Sequence, residues 1–129
     1  MSHYILDKAY SADEVGGIEA HRVVVQGANA GEAELPGGAN AGAILGVTMH
    51  AQSEAGGNVA VRKAGIARVM AAGAIAVGAP VNTAGVDGKV KAIDEAPGTA
   101  IACLGFAETA AAADGDLVEV FISLHERTA

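Results

Sequence analysis

The chain has no tryptophan, one cysteine, three prolines and four aromatic residues in 129: Tyr4, Tyr10, Phe106 and Phe121. Each scarcity excludes something. A lone cysteine, Cys103, forms no internal disulfide, and Ile101-Ala-Cys-Leu104 reads as a buried strand carrying a core thiol. Basic residues are few as well, eight against fifteen acidic, for a net charge of −7. That balance disfavours direct nucleic-acid binding, where affinity comes from neutralising phosphates. No stretch approaches the ~20 uninterrupted apolar residues of a membrane span. The N-terminus, from Met1 to Lys8, lacks a basic start and a long apolar run, which predicts no signal peptide and synthesis in a cytoplasm.

What is abundant is small. Alanine (30) and glycine (18) dominate, while Val, Ile and Leu together supply 28 residues. A chain of this length fits one domain and buries roughly two thirds of its unfolded surface. Small side chains make that burial yield less, so help from oligomerisation is expected.

Residues 1–20 read differently from the rest. They hold Tyr4, Ile5, Leu6 and Tyr10, and Ser11-Ala-Asp-Glu14 has the spacing of a helix cap that Gly16-Gly17 stops after about one turn. The segment is expected to be an extended N-terminal arm, followed by a β-domain over 21–129. There, short β-branched or alternating runs recur between Gly, Pro, Asn and Asp clusters. They are His21–Gln26, Glu32–Leu35, Ala43–His50, Asn58–Val69, Ala79–Asn82, Lys89–Ile93, Ile101–Ala107 and Leu117–Leu124. Eight short strands at close spacing predict an all-β fold with little helix, a small barrel or sandwich.

An internal repeat supports this. Residues 42–61 set against 101–120, an offset of 59, share Ala43/Ala102, Leu45/Leu104, Gly46/Gly105, Ala51/Ala110, Gly56/Gly115, Val59/Val118 and Val61/Val120. A glycine inside a strand marks a bulge or bend. Two such bends predict a duplicated, pseudo-twofold barrel in which Gly46 and Gly105 bend strands and Gly56 and Gly115 make turns. Asp87-Gly88 is the turn pair of a hairpin.

Enzymatic constellations fail. None of the four serines sits in a G-x-S-x-G elbow, and the four histidines lack metal-ligand spacing. Gly85-Val-Asp-Gly-Lys89 is two residues short of a phosphate loop, and Asp7-Lys-Ala9 matches a lipoate tripeptide but precedes the first expected strand. The close carboxylate pairs, Glu32/Glu34 and Asp94/Glu95, have no activating neighbour. No catalysis, metal or cofactor is expected. Arg62, Lys63 and Arg68, with Lys89 and Lys91, could form one basic patch contacting a sister subunit or an acidic partner; charge protecting an edge strand explains Lys89 and Lys91 equally well.

Gly65-Ile-Ala-Arg-Val69, Ala72-Gly-Ala-Ile-Ala-Val-Gly-Ala-Pro-Val81, Gly85-Val-Asp-Gly-Lys-Val-Lys91, Leu104-Gly-Phe-Ala-Glu108 and Asp114-Gly-Asp-Leu-Val-Glu-Val120 follow in that order. Over about residues 20–124 the chain resembles the capsid cement, or head decoration, proteins of tailed bacteriophages. Ala79 departs from the acidic residue expected after the glycine. The resemblance implies a homotrimer on the outer surface of the expanded capsid, clamping neighbouring major capsid proteins at threefold positions, without cofactor. The arm, through Tyr4, Ile5, Leu6 and Tyr10, would then contact the capsid, or else fold back onto its own barrel or a sister subunit. A small-molecule or glycan-binding β-module and an accessory domain of a cytoplasmic enzyme complex are the alternatives, the first weakened by how little aromatic surface could stack on a sugar.

Overall fold

The computed structural model describes residues 5–129, and nine strands lie among them: β1 (Leu6–Ala12), β2 (Val23–Gln26), β3 (Glu32–Glu34), β4 (Ile44–Thr48), β5 (Asn58–Met70), β6 (Pro80–Thr83), β7 (Val90–Ala92), β8 (Ala100–Ala107) and β9 (Leu117–Thr128). The fold is all-β. The eight runs expected from sequence are all strands, displaced at their ends by a few residues. The strand order is β1-β3-β2-β4-β5-β9-β8-β6-β7, and β1 also pairs with β5. That second pairing closes β1, β3, β2, β4 and the first part of β5 into a five-stranded barrel.

The structure corrects the arm expected over residues 1–20. Residues 6–12 are the barrel's first strand, antiparallel to β5 from Leu6↔Ala64 to Ser11↔Asn58 and parallel to β3 at Ser11↔Glu32 and Ala12↔Ala33. Nor does Ser11–Glu14 cap a helix. Strand pairing runs through Ala12, and a turn follows in which Gly17 N donates to Glu14 O. The boundary drawn at residue 20 therefore cuts through a single sheet.

Register establishes the duplication. Pairs of the first half, Val47↔Arg62, Tyr10↔Val59 and Ser11↔Asn58, recur 59 positions later as Phe106↔Phe121, Val69↔Val118 and Met70↔Leu117. β2 and β3 recur as β6 and β7 at a shift of 57: Gln26↔Ala33 corresponds to Thr83↔Val90, and the parallel pair Ala12↔Ala33 to the bridge Ala71↔Val90. The 13-residue β5 serves both halves, as last strand of the first and first strand of the second.

The core repeats with the pairing. Every member of the first half's buried cluster has its counterpart in the second: Tyr10/Val69, Ala12/Ala71, Ile18/Ile75, Val24/Val81, Ala33/Val90, Leu45/Leu104, Val59/Val118 and Val61/Val120. The second cluster also takes in Val23 and Val47 from the first half, so the two halves share one apolar seam.

The halves differ at that seam. In the first, Ser11 N donates directly to Gly31 O across the β1–β3 join. In the second, residues 21–23 are inserted at the corresponding place: Met70 N donates to His21 O at 3.0 Å, and Val23 N donates to Gly88 O at 2.7 Å. Val23 is thereby fully buried in the neighbouring half's core.

Candidate interaction surfaces

The expected arm residues separate on the structure. Tyr4 lies outside the described residues. Ile5, just before β1, and Leu6, its first residue, are 52% and 46% exposed. Tyr10 is 4% exposed and belongs to the first core. Its hydroxyl accepts a hydrogen bond from Lys63 Nζ at 2.7 Å, and the Lys8 and Lys63 ammonium groups lie 5.2 and 5.3 Å from the ring centroid. As a capsid anchor Tyr10 is therefore ruled out. β1 turns Tyr10 into the barrel that it helps to close, and that position is buried whatever the residue could do in solvent.

The basic residues do not make one patch. Lys63 is held by Tyr10, Lys89 pairs with Asp114 at 2.8 Å, and Lys91 pairs with Asp94 and Glu95 at 2.5 and 2.8 Å. Burial works against the Lys91 charge, but its two carboxylate partners outweigh that and raise its pKa. Burial likewise opposes ionisation of Glu95, yet hydrogen bonds from Lys91 and from the buried Asn82 hold its pKa below the usual carboxylate value. Arg62 donates to both Asp7 oxygens, at 2.9 and 3.2 Å, and to Ile66 O at 3.0 Å. The Asp7 bond raises its pKa, against a smaller effect of burial. Only Arg62 and Arg68 of the expected patch share a groove, about 290 Å³, with His21, Met49, Ile66, Ala67 and Glu119.

Five of the glycines stand at bends and turns. Gly46 and Gly105 each sit beside a register shift, with Leu45 and Leu104 as the residues turned inward. Gly56 and Gly115 take φ +84° and +95° in turns, their N–H groups donating to Ala12 O and Ala71 O. Gly88, φ +78°, closes the β6–β7 hairpin, and Ala84 N donates to Lys89 O across it. Cys103 is buried, and desolvation raises its thiol pKa, as a core position requires. Among the described residues, no three His, Cys, Asp or Glu side chains gather as metal ligands.

One surface is not evident in the sequence alone. Ile66, Phe121 and Phe106 are cross-strand neighbours on β5, β9 and β8, and all three face outward. A signal is present in Val118-Glu-Val-Phe-Ile122. Alternation puts Phe121 in phase with Glu119, on the solvent side.

The fold is similar to that of a solved phage protein. That structure is described as the crystal structure of the head fiber gp8.5 N base in bacteriophage phi29. The TM-score is 0.64 at 22% identity, and the match covers 93% of this chain and 95% of that one. No protein-family model matches the chain, and no curated protein matches it. The head-fibre base and this chain thus share a fold over nearly their whole lengths.

Proposed function

We propose that this chain is a structural, non-catalytic protein of a tailed-phage head that binds the outside of the expanded capsid as a homotrimer. The observation that carries the reading is the near-complete fold match to a head-fibre base, joined to the ordered motifs that resemble capsid cement proteins. On this reading the major capsid protein is the partner, and each subunit bridges neighbouring copies of it near a threefold position. Multivalency suits such a role, because three modest contacts on one rigid trimer add up to tight attachment. Ile5 and Leu6 are the apolar contacts assigned to the capsid, since they stay exposed while Tyr10 is spent on the core.

The test mixes the purified chain with expanded heads of the phage or prophage that encodes it and images the heads. The expected result is density outside the shell at threefold positions. Ile5→Asp with Leu6→Asp should lower occupancy at least about tenfold, the scale of one lost hot-spot contact, without changing the melting temperature. Bare heads in the presence of folded wild-type protein would overturn the proposal.

A further inference from the structure

We propose that the outward row Ile66–Phe121–Phe106 is a self-association surface, covered by the corresponding region of a second copy of this chain. The inference deepens the proposed assembly by assigning where copies meet. It starts from the duplication. The register runs Ile66↔Phe121, Phe121↔Phe106 and Phe106↔Pro80. The equivalent row of the first half runs Asp7↔Arg62, Arg62↔Val47 and Val47↔Val23.

The two rows have opposite fates. In the first half, Val47 and Val23 are fully buried because the second half packs over them, and the row ends in the partly exposed Arg62–Asp7 ion pair. In the second half, none of the described residues covers the row. Yet its side chains are larger and wholly apolar: Ile66, Phe121 and Phe106 are 44%, 47% and 37% exposed. Both phenylalanines of the chain stand here. A position that carries an ion pair in one half, and Ile with Phe in the half where no described residue covers it, is furnished for contact.

The occupant follows from what covers the first row. Val23 and Val47 are covered by a unit of this same fold, so another chain brings the matching kind of surface. The manner of covering differs. Val23 N donates to Gly88 O, but Pro80 at its place has no N–H, so the second copy meets the row through side chains and not as an inserted strand. Phe106 is already fixed for this, its ring stacked on His125 at 5.2 Å and 11°. An immobilised aromatic loses little freedom when a partner seats on it.

The test borrows the first half's own solution. Ile66→Asp with Phe121→Arg rebuilds the Asp7–Arg62 pair at the equivalent place, and Phe106→Ser is the second variant. Native mass spectrometry and sedimentation of the full chain, without heads, read the assembly. The wild type should be oligomeric at micromolar concentration, and each variant should weaken association about thirtyfold or more with little change in melting temperature. A monomeric wild type, or folded variants that keep the wild-type oligomer, overturns the proposal. Variants that stay oligomeric but no longer coat heads give the row to the capsid, which overturns this inference and leaves the proposed function standing. Variants that dissociate while the wild type coats no head do the reverse.

Discussion

Gly46 and Gly105, 59 positions apart, lie against the Arg62 and Phe121 carbonyls, which are also 59 positions apart. At both sites a Cβ built on the glycine would collide with that carbonyl oxygen. Leu45 and Leu104, one residue earlier, are each skipped in a strand register and turned inward to fill the two cores. The bend and the core residue are one device, used twice.

Gly46→Ala and Gly105→Ala should therefore each cost about 3 kcal/mol, since backbone on both strands must move to admit the methyl group. Gly56→Ala and Gly115→Ala should cost only about 1 kcal/mol, as both sites have open space and the penalty is confined to positive φ. Chemical denaturation of the four variants checks the contrast. Equal losses would mean that strand approach is not what the bend glycines serve.

Tyr10 gives a second contrast. Tyr10→Ala empties a position at the centre of the first core and should cost about 4 kcal/mol. Tyr10→Phe keeps the ring and loses the Lys63 bond, for about 1 kcal/mol. Deleting residues 2–15 removes β1 and reopens the barrel, so the truncated chain should fail to fold. A truncated protein with the wild-type melting temperature would restore the arm.

Why is β1 hidden in the sequence when every other strand is legible? Alternation and turn residues mark the other strands, as Gly27 and Asn29 after β2 and Asp114-Gly-Asp116 before β9 do. β1 spells Leu-Asp-Lys-Ala-Tyr-Ser-Ala, whose only large inward residue is Tyr10, and against 65–71 it keeps only Ala12/Ala71 in common. The available clue is the length of β5. A run of 13 residues spans two strands of a duplicated fold, so the first half needs an opening strand of its own before His21. The bend glycines are legible because a glycine in a strand has few other uses. The apolar row is not, because its meaning depends on which strands become neighbours.

The Lys91–Glu95 pair predicts a pH dependence. Glu95 has a lowered pKa in the folded chain, so its contribution is present above the ordinary carboxylate pKa of about 4.3 and is lost as pH falls through the lower folded value. Lys91 has a raised pKa, so its contribution is complete below about 10.4 and is lost as pH rises through the higher folded value. Glu95→Gln should destabilise by about 1–2 kcal/mol at pH 7, and the gap to the wild type should close as pH falls toward about 3. Melting curves across the acid range up to neutrality read it. A gap that stays constant would mean that the ionised carboxylate contributes nothing.

Val23 carries the last prediction, because it is the residue that one half lends to the other. Its N–H reaches Gly88 O and its side chain sits in the second core, beside the Met70-to-His21 bond. A join through residues 21–23 makes the two halves open together, so the amide protons of Val23 and Met70 should exchange in the wild type only through global unfolding. Val23→Ala leaves both backbone bonds possible but removes two methyl groups from a fully buried site, at about 2 kcal/mol. The loss falls where the halves meet. Native-state hydrogen exchange should therefore show the Val23 and Met70 amides of the variant exchanging through an opening smaller than global unfolding, while Val59 and Val61 within the first barrel keep global behaviour. Uniform weakening at all four amides would mean that the chain unfolds as one unit and that the insertion is packing like any other.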